Sequence, residues 1–206
     1  MTSVAKDLNI WRLRVRADKY LSLIPGDLNY FRSHFIGEPL QNWEPPPVTI
    51  AGRSKKLPDI VAWSVRAPVV SEKAANVLRS VLGTCAEFLP FHQIRGHVYF
   101  AMNVLCVERD LLDVERSDVK YAADGETVLA LETAAFLQPL PHRPEPIFKI
   151  ALEARRPFGD IFVGPPFCKA AIDNRLTGFE LTNPAQSSAS LSISGHSANV
   201  VPGIVG

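Results

Sequence analysis

Hydrophobic and polar residues alternate strictly in the first patterned stretch of the chain. Residues 11–16 read WRLRVR, and this period of two predicts a strand with one apolar and one basic face. Arg12, Arg14 and Arg16 share the basic face. Such a face can bind phosphate or an acidic partner, or it can be a solvated face near carboxylates of the same chain. We favour the second interpretation.

Further along, helical spacing replaces the alternation. Between residues 71 and 82 one face carries apolar side chains at Ala74, Val77, Leu78, Val81 and Leu82. Ser71 can cap the free amides of the first turn, and Gly83 can supply the left-handed residue that ends the helix. The pattern predicts an amphipathic helix that packs on the core.

The remaining apolar segments are short and predict strands. Residues 97–107 are apolar on both faces, which is typical of a central strand covered on both sides. Asp124-Gly125 is a strong two-residue hairpin turn between two β-forming segments. Further strands and a second short helix are predicted at residues 146–152, 159–164, 178–182 and, for the helix, 165–177. These elements predict an α+β fold with a mostly antiparallel sheet and a few short helices.

Proline-rich segments suggest where the chain divides. Residues 44–57 contain a triple proline and a charged run, and we interpret them as a boundary. The division is an N-terminal strand-containing portion over residues 1–56, a main body over residues 57–185 and a tail over residues 186–206. The tail is small and polar, so we expect it to be flexible or extended.

Composition narrows the classes of protein that need to be considered. In 206 residues, 22 Lys and Arg face 21 Asp and Glu, so no overall positive field favours nucleic acid. No apolar run approaches the length of a membrane span, and the charged N-terminus does not resemble a secretion signal. Cys85, Cys106 and Cys168 lie in apolar or small-residue settings, so we predict reduced thiols and a cytoplasmic protein.

The candidate chemistry begins with a cluster between residues 91 and 113. His92, His97, Cys106 and Asp113 are types that bind metals, but an odd separation places the two histidines on opposite faces of a strand. Phosphate-binding glycine loops and nucleophile motifs are missing from the sequence. We therefore expect no catalytic residue, cofactor or metal ion, while an enzyme with a dispersed active site stays open as an alternative.

Charge patterning offers a different kind of site. Residues 108–118 read ERDLLDVERSD, with five carboxylates and three apolar residues among them. A solvated loop explains this pattern at least as well as a binding surface does. As a surface it suits a basic partner, and we select Asp110, Glu115 and Asp118 as the candidate contacts.

Motifs in the body suggest a family. Their order is Ser71 at the helix start, EFLP at residues 87–90, Leu112-Asp113 with Ser117, and Thr177-Gly178. Over residues 57–182 this order resembles the bacterial polymorphic-toxin immunity proteins of immunity protein family eleven. The resemblance implies a cytosolic protein, made beside a toxin, that neutralises it by stoichiometric protein–protein occlusion without catalytic residues. A nucleic-acid binder that uses the N-terminal arginine strand is the remaining alternative.

Overall fold

The computed structural model describes residues 9–27, 29–52, 54–124, 128–153 and 155–186. Its strands are β1 (Trp11–Val15), β2 (Ser22–Pro25), β3 (Val48–Ala51), β4 (Ile60–Ser64), β5 (Ala67–Ser71), β6 (Ala86–Pro90), β7 (Tyr99–Val104), β8 (Val107–Glu108), β9 (Asp118–Tyr121), β10 (Val128–Thr133), β11 (Ile147–Ile150), β12 (Ile161–Val163) and β13 (Phe179–Thr182). Its α-helices are α1 (Tyr30–Ser33), α2 (Glu72–Leu82) and α3 (Pro165–Asp173). The predicted α+β class is confirmed.

Within the described residues the strands form two large sheets and one hairpin. The six-stranded sheet has the order β3-β2-β4-β5-β7-β6, and the five-stranded sheet has the order β13-β1-β12-β11-β8. Pairing is antiparallel except between β2 and β4 and between β11 and β8. β1 and β2 come from the N-terminal portion, and each lies inside a large sheet. The described strands of the N-terminal portion therefore share their sheets with strands of the body.

Helix α2 forms where its apolar spacing predicts it. The Ser71 side chain accepts a hydrogen bond from the Ala74 amide at 3.2 Å, and Gly83 ends the helix with φ +52°. Leu78 is completely buried, whereas Val77 and Val81 are half-buried. α2 packs beside α3 and over one face of the six-stranded sheet, and Ile60, Val70 and Met102 of that sheet belong to the same buried cluster as both helices.

Two further apolar clusters complete the core. An aromatic cluster covers the opposite face of the six-stranded sheet, with Trp63 packed edge-to-face against Phe31, Phe35 and Phe91. The third cluster lies between the five-stranded sheet and the β9–β10 hairpin, and its rings are those of Phe136, Phe148, Phe158 and Phe162. The hairpin is therefore attached to the five-stranded sheet through one apolar face.

The predicted hairpin is confirmed as an antiparallel pair. Tyr121 is opposite Val128 across the pair. The predicted turn at Asp124-Gly125 falls partly on residues 125–127, which lie outside the described residues. The tail beyond residue 186 is also outside it.

Candidate functional site

The structure separates the side chains of the cluster between residues 91 and 113. His92 Nε2 lies 2.9 Å from the backbone oxygen of Pro46, and His97 exchanges backbone hydrogen bonds with Ile94. Asp113 accepts a hydrogen bond from the Arg116 amide. Across the described ranges, no group of three potential metal ligands includes His92, His97 or Asp113.

Cys106 instead forms a disulfide with Cys85. The prediction of three reduced thiols is therefore wrong for this pair. A short 3₁₀ turn over Gly83–Cys85 places the end of α2 beside the end of β7, and the Cα atoms of the pair are 4.8 Å apart. The two cysteines are 21 residues apart in sequence, and no local pattern indicates that their side chains meet. Cys168 is a free, buried thiol whose pKa burial raises to about 12.

The three N-terminal arginines have very different surroundings. Arg12 is only 1% exposed, because the β9–β10 hairpin covers its face of β1, and burial lowers its pKa. Its guanidinium donates to the backbone oxygens of Leu131 and Glu132 at 3.1 and 2.9 Å. The expectation of a solvated face is therefore wrong for Arg12.

All three arginines lie near carboxylates, as the favoured interpretation expected, and Arg12 Nε is 3.7 Å from Asp160. Arg14 lies 3.4 Å from Asp160, and Arg16 donates to Asp18 and Glu180. The basic face that a phosphate ligand would need is thus engaged by groups of this chain.

Asp59 is the centre of a hydrogen-bond network that joins distant segments. Its carboxylate accepts from Ser71 Oγ at 3.0 Å and from both the amide and the hydroxyl of Thr177 at 2.9 Å. Next to Thr177, Gly178 has φ +96°, and a Cβ there would lie 2.1 Å from the Ile60 oxygen. Ser71, Thr177 and Gly178 therefore connect the starts of α2 and β13 to the start of β4.

The other two motifs make similar connections. Glu87 Oε1 accepts from the Leu40 amide at 2.9 Å and from Asn103 Nδ2 at 2.7 Å. Ser117 Oγ donates to the Asp113 oxygen at 2.7 Å and accepts from the Ala135 amide at 2.9 Å. Each motif fixes a loop to a neighbouring strand or loop.

A cavity of about 350 Å³ lies at the start of α2. Asp59, Ser71, His97 and Tyr99 are among its lining residues. Ser71 Oγ already donates to Asp59 and accepts from the Ala74 amide, which makes it a helix cap rather than an activated nucleophile. Tyr99 donates to the Pro58 oxygen, and burial, followed by the nearby Asp59 carboxylate, raises its pKa to about 12.

The acidic segment lies between β8 and the beginning of β9. Asp110 is 63% exposed with His142 at 3.1 Å, and Asp118 is 50% exposed with Lys120 at 3.2 Å. Glu115 is exposed in a turn and makes no ion pair with any described residue. The segment therefore presents carboxylates, but nearby cations reduce the negative field that its sequence suggests.

Exposed apolar side chains accompany these carboxylates. Leu129 on β10 is 66% exposed, Val114 is 47% exposed and Tyr121 on β9 is 40% exposed. The acidic segment and the described part of the hairpin, residues 108–124 and 128–133, thus carry exposed carboxylates and exposed apolar side chains, and we call these residues the hairpin surface. Sequence reasoning selected its acidic half and missed Leu129 and Tyr121, because alternating residues on a strand do not show which face the body covers.

The chain matches no protein-family model and no curated protein sequence. Nor does the described part contain a helix long and apolar enough to cross a membrane.

Proposed function

We propose that this protein is an immunity-type protein that binds a cognate bacterial toxin and neutralises it by stoichiometric occlusion. The proposal combines the motif resemblance with the positions of the motif residues. A protein of this class needs a stable scaffold and a complementary surface, and its residues take no part in a reaction.

The network around Asp59 is the observation that carries the proposal. Ser71 and Thr177 direct their hydroxyl groups to this carboxylate, and Gly178 allows the close approach to Ile60. Glu87 and Ser117 make comparable connections elsewhere. Motif residues that hold the fold together are what we expect of a binding scaffold whose recognition surface varies from one toxin to another.

The hairpin surface is the proposed contact region. A few anchors near the centre of an interface usually supply most of its binding free energy, while charges at the rim mainly change the association rate. Leu129 and Tyr121 are suitable anchors because they are exposed and apolar. Asp110, Glu115 and Asp118 are suitable rim charges for a basic partner.

Co-expression with the product of the adjacent gene tests this proposal. We expect the unaltered protein to protect the cell and to purify with that product as an equimolar complex. Replacing Asp110, Glu115 and Asp118 together by lysine should weaken protection while the melting temperature of the chelator-treated protein stays nearly constant.

A variant with matched charge changes on other elements serves as the control. Glu38→Lys with Glu72→Lys and Asp173→Lys changes the net charge equally and should leave protection intact. If no neighbouring gene product binds the unaltered protein, the immunity proposal fails. If the unaltered protein binds this product but the variant with lysine at positions 110, 115 and 118 protects normally, only the assignment of the contact surface fails.

A further inference from the structure

Side chains of types that bind metals meet at the end of β8. Glu108 is the last residue of this strand, and Asp110 lies in the bend that follows it. The loop between β10 and β11 brings His142 and Glu145 to the same place, and the Glu145 amide donates to Glu108 Oε1 at 3.3 Å. Residues 32 or more positions apart in sequence thus meet at the edge of the five-stranded sheet.

The distances within this group suit a small divalent cation. His142 Nε2 lies 3.1 Å from Asp110 Oδ1 and 3.4 Å from Glu108 Oε2, and the three ligand atoms all lie within 4.8 Å of one another. Ligand atoms about 2.1 Å from a tetrahedral zinc ion are about 3.4 Å from one another. Two of the three separations are already close to this value.

The outer contacts of the same side chains point to a ligand as well. His142 Nδ1 lies 3.2 Å from the Arg143 oxygen. A hydrogen on Nδ1 can be donated to this oxygen, which leaves the Nε2 lone pair directed at two carboxylates. Metal-bound histidines characteristically donate their second ring N–H to a carbonyl or carboxylate, and metal-bound carboxylates accept a further hydrogen bond. The Glu145 amide supplies that further bond to Glu108.

The local charge balance is consistent with a bound cation. Glu108 is only 8% exposed, and its carboxylate lies beside that of Asp110. A divalent ion would balance this negative charge.

We propose that Glu108, Asp110 and His142 form a binding site for a divalent transition-metal ion of the zinc type, with water completing the coordination. An imidazole ligand favours zinc and its neighbours, whereas calcium and magnesium prefer six or more oxygen ligands. The ion would join residues 108–110 to the loop that carries His142, and the site does not depend on the proposed function.

Calorimetric titration of the chelator-treated full chain with zinc chloride tests the site. We expect one zinc ion per chain and a rise in melting temperature on binding. His142→Gln and Asp110→Asn should each weaken zinc binding at least about tenfold. His97→Gln and Asp113→Asn replace the same residue types outside the site, and both should bind zinc normally.

Three results would overturn the proposal. The first is the absence of zinc binding by the unaltered chain. His142 would then be explained as the ion-pair partner of Glu108 and Asp110. The second is unchanged binding in both His142→Gln and Asp110→Asn. The third is loss of binding in the Cys85→Ser/Cys106→Ser variant, since this would assign the ion to the cysteines and Glu145, which also lie within 4.8 Å of one another.

Discussion

The helical side of the body and the β9–β10 hairpin differ in how their side chains are held. In the body, Leu78 is completely buried and Asp59 accepts three hydrogen bonds from two other segments. On the hairpin, Leu131 is buried while Leu129, two residues away, is 66% exposed. The helical side of the body is therefore constrained by packing on many sides. The hairpin is packed on one face only, and residues on its other face can vary without loss of the fold.

Truncation of Leu78 should have the largest effect on stability. Leu78→Ala removes a fully buried side chain between α2 and the six-stranded sheet, so we expect a loss of about 2–5 kcal/mol in the free energy of unfolding. Chemical denaturation measures this loss. Arg79→Ala is the control on the same helix, because Arg79 is exposed and contributes only stacking over Phe88 and Phe100, about 0.5–1 kcal/mol. Equal losses in the two variants would contradict the assigned face.

Lys149 should make the free energy of unfolding depend on pH. Its buried ammonium group donates to the oxygens of Phe35 and Arg66, and burial, followed by the Arg66 charge, lowers its pKa from 10.5 to about 7. Between about pH 7 and pH 10.5 the unfolded chain holds a proton that the folded chain lacks. The free energy of unfolding should therefore rise with pH across this window.

Lys149→Met isolates this contribution. The variant should lack the rise, and the difference between the two stability curves across the window should be on the order of a few kcal/mol. Parallel curves for the variant and the unaltered protein would show that Lys149 keeps an ordinary pKa in the folded state.

The disulfide should stabilise the junction between α2 and β7. Closing a loop of 21 residues restricts the unfolded chain, and Cys85→Ser/Cys106→Ser should cost about 3 kcal/mol. Denaturation with and without reductant measures the difference, and Cys168→Ser is the control. Thiol trapping during lysis, followed by mass spectrometry, shows whether the bond exists in the cell. Two free thiols at Cys85 and Cys106 would contradict the pairing and agree with the usual reduced state of cytosolic proteins.

Arg12→Met should loosen the hairpin more than the body. The substitution keeps most of the volume but removes the donors to Leu131 and Glu132, so we expect a loss of about 1–3 kcal/mol. Hydrogen exchange should accelerate most in residues 118–133. Arg14→Met is the matched control, with a smaller effect because Arg14 is 26% exposed. Uniform acceleration throughout both sheets would show that Arg12 stabilises the whole fold equally.

The sequence predicts the elements whose patterns are local. Helix α2 shows its spacing, cap and terminal glycine within 13 residues, and the hairpin strands show their β-forming residues. The buried position of Arg12 has no local sign, because the covering strand is about 120 residues away. For the same reason neither the disulfide nor the approach of His142 to Glu108 could be predicted. The position of Glu108 and Asp110 in one acidic segment was the available signal for the approach of His142.

Substitutions on the hairpin surface should have the smallest effect on stability. A change in binding by such a variant can therefore be assigned to recognition rather than to loss of the fold. Leu129→Ala should change the free energy of unfolding by less than about 0.5 kcal/mol. Ile172→Ala on α3, which removes a side chain with 50% exposure, is the matched control. Glu115→Lys/Asp118→Lys leaves Asp110 and the proposed cation site unaltered.

The decisive measurement is the binding kinetics of these variants with the neighbouring gene product at two salt concentrations. The account predicts that Leu129→Ala dissociates faster and that Glu115→Lys/Asp118→Lys associates more slowly, with the larger difference at low salt. Ile172→Ala should bind like the unaltered protein. Unchanged kinetics in Leu129→Ala and in Glu115→Lys/Asp118→Lys, together with a loss of binding in Ile172→Ala, would contradict the account. The recognition surface would then lie on the helical side of the body.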